Sequence, residues 1–195
     1  MSKTELRRHM LALRRPLNSH YPGASDAIAS NFVTHFSVDA GHDCVALYQA
    51  VGGEIGTEPL VHMLRGQGVS LALPVTHDTT HGAGPLSFRR YDARTVLRRD
   101  AAGMHAPDAT SDTCQPNFIV LPLLAFDAAG GRLGRGGGHY DRTLEALRQK
   151  CQLRAIGLAF DEQMVEECPM ELHDQRLDFV VTPTRIVFCS GDKGS

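Results

Sequence analysis

The sequence predicts a single α/β domain of the three-layer, Rossmann-like kind, a mainly parallel twisted sheet with helices on both faces. Three observations carry this. Short apolar runs of strand length alternate with amphipathic helical stretches along the chain; the separations between successive strands fit crossover helices; and one run, FIVLPLL at residues 118–124, is apolar throughout, as a strand buried on both faces must be. A chain of 195 residues is long enough to bury one substantial core. Residues 1–189 are therefore read as one domain, with 190–195 as a disordered tail.

The elements follow in order. Ser2 and Glu5 form a capping-box pair, and Leu6, Met10 and Leu13 recur at helical spacing, so the first helix covers residues 3–15 and stops at Pro16. A second begins after Tyr21-Pro22-Gly23, with Ser25 as its cap and Ile28, Phe32 and Phe36 on one stripe. CVALY at 44–48 reads as a buried strand. Thr57 caps a helix carrying Leu60, Val61 and Leu64, and Gly66 and Gly68 end it before a strand at 69–73, completing one βαβ unit. Residues 76–84 form a Thr/His/Gly loop, 86–91 a short strand, and 101–117 an irregular stretch. In the central strand Pro122 suits an end better than a ladder centre. Tyr140, Leu144 and Leu147 mark a helix over 139–149, and strands at 155–160, 179–181 and, on an edge, 185–189 finish the chain.

Composition narrows function. Hydrophobic residues at 42% and charged ones at 22% are ordinary for a folded globular chain. A net charge of −2, no Trp and 6% aromatics disfavour a nucleic-acid module built on charge and stacking. Two local basic clusters, Arg7, Arg8, Arg14 and Arg15, and Arg89, Arg90, Arg94, Arg98 and Arg99, are read as solvated helix and strand edges. Five cysteines at wide spacings, with no C-x-x-C, point to free thiols in a reducing compartment. No run approaches a membrane span, and Lys3, Glu5, Arg7 and Arg8 stand where a signal peptide would be apolar, so a cytoplasmic protein is expected.

The chemistry concentrates in RLGRGGGHYDR at residues 132–142. Gly134, Gly136, Gly137 and Gly138 let backbone amides close around an anion ahead of a helix N-terminus, and Arg132, Arg135 and Arg142 add cationic forks. Asp141, in the first helical turn, would oppose a phosphate unless a cation lay between; Mg²⁺, held by one or two carboxylates and phosphate oxygens, resolves the conflict. The run matches neither a Walker loop nor the dinucleotide fingerprint, so by itself it says only that phosphate binds. His77 and His81 have i, i+4 spacing but lack a glutamate between them and read as loop histidines. Asp127 reads as a turn former and Asp178 as a strand-start residue.

Beyond this loop the chain resembles the 5-formyltetrahydrofolate cyclo-ligase family. The segments that carry the resemblance are FDAAGGRLGRGGGHYDR at 126–142, KTELR at 3–7 followed by Arg14, YQAVGGEIGT at 48–57, LALP at 71–74, IGLAFDEQ at 156–163 and LHDQRLDFVVTPT at 172–184. The resemblance implies an ATP- and Mg²⁺-dependent ring closure that turns 5-formyltetrahydrofolate into 5,10-methenyltetrahydrofolate. The formyl oxygen is phosphorylated, the other folate nitrogen attacks the activated carbon, and phosphate leaves. It implies ATP contacts from Lys3, Thr4, Glu5, Leu6 and Arg7 and from Arg132, Leu133, Gly134, Arg135, Gly136, Gly137, Gly138, His139 and Tyr140. Folate contacts would come from Gln49, Glu54 and the run Gly134, Arg135, Gly136, Gly137 and Gly138. Asp141 and Asp174 would hold the metal, and Arg132, Arg135 and Tyr140 would serve catalysis, although Tyr140 also fits the core stripe of its helix. Two positions depart from the family pattern: His139 stands where a second tyrosine is usual, and Gly56 replaces an acidic residue. The partners expected are a reduced folate and ATP, without nucleic acid or membrane, in a monomer or weak homodimer. The alternative from another class is a folate- or nucleotide-binding paralogue without this activity.

Overall fold

The computed structural model describes residues 1–77 and 84–189. Its centre is a seven-stranded sheet built from β1 (Cys44–Ala46), β2 (Ser70–Val75), β3 (Ser87–Arg90), β6 (Phe118–Pro122), β9 (Arg154–Leu158), β10 (Phe179–Val181) and β11 (Ile186–Phe188). Their spatial order is β11-β10-β9-β6-β1-β2-β3. The five inner strands pair in parallel, and β3 and β11 close the two edges antiparallel. Pro122 is the last residue of β6, where its missing N–H costs no central ladder bond.

Alternation along the strands sorts side chains to two faces. Val45, Leu71, Val120, Ile156 and Val181 pack with Ile28, Ala29 and Phe32 of α3 (Ala24–His35) and with Leu60 and Leu64 of α4 (Glu58–Gly66). Ala46, Ala72, Ile119, Leu121, Ala155 and Val180 face the other way, onto Leu144 of α5 (His139–Arg148). The helices thus cover both faces, as two-sided burial of the strands demands. A third cluster joins Leu6 and Met10 of α1 (Lys3–Arg14) to Leu124, Ala125 and Leu133, seating α1 on the hairpin of β7 (Ala125–Phe126) and β8 (Arg132–Leu133).

Several local expectations are corrected. The capping box of Ser2 and Glu5 is present, but Ser25 is not a cap. It lies inside α3 behind Gly23, and its hydroxyl accepts from the Gly56 amide because the 51–56 loop packs there. Thr57 stands at the N-cap of α4, yet its hydroxyl donates to the Tyr48 carbonyl instead of capping, tying the loop to the end of β1. Residues 17–20 form a one-turn helix, α2 (Leu17–His20), that begins directly after Pro16. The stretch 101–117 is not irregular throughout. Its start pairs into a hairpin of β4 (Leu97–Arg99) and β5 (His105–Pro107), too short and too polar to leave an alternating signature. Arg14 is also not a solvated edge, being 1% exposed. The tail at 190–195 and His81 lie outside the described residues.

Between β7 and β8 the turn is held by Asp127, whose carboxylate accepts from the amides of Ala129, Gly131 and Cys168. Asp178 likewise sits at the start of β10, accepting from the Ala155 amide. Gly130 has φ +83, and a Cβ there would collide with the Leu177 carbonyl and lie 2.9 Å from Cys189 Cβ. Gly130→Ala is therefore expected to destabilise the fold by roughly 3 kcal/mol, adding left-handed strain to overpacking. Urea titration of both variants checks this, and Gly66→Ala, with open space around the Cβ, should be neutral or slightly stabilising.

Candidate functional site

The chain leaves β1 for β2 on one side and later returns through β6 on the other, so a crevice opens beyond the carboxyl ends of β1 and β6. Open α/β sheets take their ligands at such a point. A cavity of about 620 Å³ lies here, floored by Tyr48 and Gln49 after β1, Pro74 and Thr76 around the end of β2, Leu121 and Pro122 of β6, and Leu123 just beyond it. Its volume is in the range of small-molecule sites.

Three walls meet over that floor. The first is the glycine-rich loop. Arg132 and Leu133 belong to β8, so the loop leaves a small hairpin instead of following β6 directly; the two-residue strands are too short for the sequence pattern to reveal. Gly136 and Gly138 have φ +101 and +69, and Gly138 stands at the N-cap of α5. The second wall is α1. Arg7 Nε donates to the Gly134 carbonyl at 3.1 Å and its guanidinium lies against Gly136, where a Cβ would meet it at 3.4 Å. The third is the 51–56 loop, with Gly52 and Gly53 at positive φ. Arg135 reaches across from the glycine loop to the Val51 carbonyl at 3.0 Å and to Glu54 Oε1 at 3.3 Å, joining the first and third walls.

The charges are arranged in depth. Arg14 donates to the Leu123 carbonyl at 2.8 Å and the Gly52 carbonyl at 3.2 Å, and lies 3.8 Å from Glu54. Glu54 is 6% exposed; burial raises its pKa, opposed by the Val51 amide and by Arg135 and Arg14. Arg132 Nη2 donates to Asp141 Oδ1 at 2.7 Å, while its Nη1 is buried with no acceptor among the described residues. A guanidinium lodged this way is primed for an anionic oxygen from the cavity. Tyr140 lines the cavity and also packs on the core beneath α5. Burial, with Glu54 adding to it, raises its phenol well above the usual value and keeps it a neutral donor. Nδ1 of His139 lies 2.9 Å from the Gly84 carbonyl and so carries the proton of that bond.

Of the residues singled out in the sequence, Lys3, Thr4, Arg7, Gln49, Glu54, Arg132, Leu133, Gly134, Arg135, Gly136, Gly137, Gly138, His139, Tyr140, Asp141 and Asp174 all line this one cavity. Glu5, Leu6 and Arg142 do not. Glu5 turns back to cap Ser2, and Leu6 is buried against the hairpin, because a helix can offer only one face to the cavity. Sequence reasoning missed Arg14, although a cation at i+8 on the Leu6/Met10 stripe was a signal that its charge is buried for a purpose. It also missed Asp100, Met104 and His105, brought in by the β4–β5 hairpin, and Glu171 and His173.

Asp141 and Asp174 are each half satisfied. Asp141 Oδ1 accepts from Arg132 and from the Gln175 amide, and Asp174 Oδ2 from Lys3 and the Glu171 amide. The second oxygen of each accepts no hydrogen bond among the described residues, so the donor set fits a hard divalent cation. Burial opposes the charge on Asp174, but Lys3 and the Glu171 amide prevail and hold its carboxyl below the usual range. Glu171, His173 and Asp174 also converge within 4.8 Å of one another.

Fold and site together define an α/β protein with a cleft at the switch point of its sheet, lined by arginines and a glycine-rich loop and faced by a buried carboxylate. The chain belongs to the 5-formyltetrahydrofolate cyclo-ligase family, whose model matches residues 1–183. It is 36% identical to the 5-formyltetrahydrofolate cyclo-ligase of Escherichia coli (strain K12), over 81% of this chain and 87% of that protein. The Mycolicibacterium smegmatis protein of the same name is 30% identical over 94% and 95%. The structure is similar to that of Aquifex aeolicus 5,10-methenyltetrahydrofolate synthetase, with TM-score 0.78 and 27% identity, covering 100% of this chain and 96% of the other.

Proposed function

We propose that this chain converts 5-formyltetrahydrofolate to 5,10-methenyltetrahydrofolate at the expense of ATP, inside the cavity at the β1/β6 switch point. The observation that carries the reading is the meeting of two unlike binding surfaces across Arg135. One is a glycine-rich cradle of amides and guanidinium groups suited to phosphates, and the other is a buried carboxylate, Glu54, suited to the amino and ring N–H groups of a pterin.

The division of labour follows from position. Lys3, Arg7 and Arg132, with the amides of Gly134 to Gly138, bind and neutralise the triphosphate. Glu54 and Gln49 orient the pterin so that the formyl oxygen faces that cradle. A formamide oxygen is a poor leaving group until it carries a phosphoryl group, after which the neighbouring nitrogen attacks the carbon and phosphate departs. Positioning and charge neutralisation then serve the reaction better than a protein nucleophile would. Tyr140, neutral and unpaired at its hydroxyl among the described residues, is set to donate to the reacting oxygen, and Arg132 and Arg135 to hold the charge that develops there. Mg²⁺ would be held by Asp141 and Asp174, where it supplies neutralisation of phosphate charge.

The test is to mix the purified protein with 5-formyltetrahydrofolate and Mg-ATP and to follow the near-ultraviolet absorbance of the conjugated product. Absence of signal, with both ligands shown to bind, would replace this reading by that of a binding paralogue. Asp141→Asn should raise the Mg²⁺ concentration needed for half-maximal turnover by about tenfold or more, as loss of one anionic ligand weakens a two-carboxylate site; an unchanged Mg²⁺ dependence would remove Asp141 from that role. The same reading expects a monomer or weak homodimer in the cytoplasm, and the five free cysteines suit a reducing compartment.

A further inference from the structure

At the opposite end of the sheet from the cavity, Sγ of Cys44 lies 3.9 Å from Sγ of Cys114. The contact is long-range, 70 residues apart in sequence, and the local backbone is fixed on both sides of it. Cys44 opens β1, its amide donating to Asn117 Oδ1 at 2.9 Å and its carbonyl accepting from the Asn117 amide at 3.2 Å. Cys114 donates its amide to the Phe88 carbonyl at 3.0 Å. Both thiols pack partly buried against the cluster that contains Phe88, and each keeps some solvent access. Among the described residues no other two cysteines are in sulfur contact.

We propose that Cys44 and Cys114 form a reversible disulfide, making this pair a thiol-oxidation site separate from the folate and ATP cavity. The sulfurs need close by only about 2 Å to reach bonding distance, a shift within the reach of side-chain rotation. The Cys44 S–H donates toward Cys114, which lowers the pKa of the Cys114 thiol, with the Arg90 cation helping and burial opposing. Cys114 is thus the attacking thiolate. It displaces one thiolate from a small-molecule disulfide and becomes a mixed disulfide. Cys44 gives its proton to solvent, attacks the Cys114 sulfur and releases the second thiolate. Two cysteine thiols are oxidised to one disulfide and the reagent is reduced to two thiols. The bond closes a ring from residue 44 to residue 114 that contains β1 to β5. It thereby ties the exit of the β4–β5 hairpin, which brings Asp100, Met104 and His105 to the cavity wall, to the start of β1.

The whole protein would be incubated with oxidised glutathione and its thiols counted after denaturation. The count is expected to fall from the five of the sequence to three. Peptide mapping should give a 44–114 cross-link that dithiothreitol reverses, and the melting temperature should rise by on the order of 5 °C. Cys44→Ser should block the cross-link and instead leave a glutathione adduct on Cys114, and Cys114→Ser should abolish both products. Cys151→Ser, away from the pair, should oxidise as the parent does. A count that stays at five, a cross-link joining other cysteines, or Cys44→Ser or Cys114→Ser protein that oxidises like the parent would overturn the proposal.

Discussion

Replacing Arg132 by methionine is expected to lower ATP-dependent turnover by about 10²–10³-fold, the usual loss when one fixed donor to a developing oxyanion is removed. Arg132 is 8% exposed; its Nη2 pairs with Asp141, and its Nη1 has no acceptor among the described residues. Lysine at this position keeps the charge but loses the planar fork, so Arg132→Lys should recover only part of the loss. The substitution also strips Asp141 of its cation, which should cost about 3 kcal/mol of stability in urea titration. Arg132→Met combined with Asp141→Asn tests the stability term alone. Stability should recover in the double variant while turnover does not. Near-normal turnover in folded Arg132→Met would remove the residue from the proposed phosphate site.

Glu54→Gln is expected to lower kcat/KM for the folate by about 10²-fold while leaving KM for ATP within a factor of about two, because an acceptor of N–H donors becomes partly a donor and leaves its partners unpaired. The pH dependence gives a second readout. Burial raises the Glu54 pKa, so as pH falls the carboxylate is protonated before an ordinary glutamate would be. Folate efficiency should therefore fall on the acid side at a pH above the usual glutamate range in the wild type, and Glu54→Gln should lack that limb. An equal loss for ATP and folate, or a wild-type acid limb retained in the variant, would contradict a pterin-facing role.

The outline of the fold was legible because its strands and helices carry one-dimensional signals: continuous apolar runs at β6, helical stripes at α1, α3 and α5, and a capping box at Ser2. Failures cluster where a side chain answers to a distant partner. Ser25 and Thr57 look like caps locally but bind the 51–56 loop and the end of β1, and Glu5 and Leu6 share a motif with Lys3 and Arg7 yet face away from the cavity. The β4–β5 and β7–β8 hairpins use strands of two or three residues, below the length at which alternation can be recognised.

By itself the sequence determined the glycine-rich loop, the parallel α/β class and the resemblance that named a family, since each depends on residue types at fixed spacing along the chain. Only the tertiary structure decided that Arg14 is a buried support behind Glu54, that Arg135 joins the glycine-rich loop to the 51–56 loop, and that Cys44 meets Cys114. Those facts depend on strand order. Placing β6 beside β1 brings residues far apart in the chain to one crevice, and the burial this creates sets their charge states and partners.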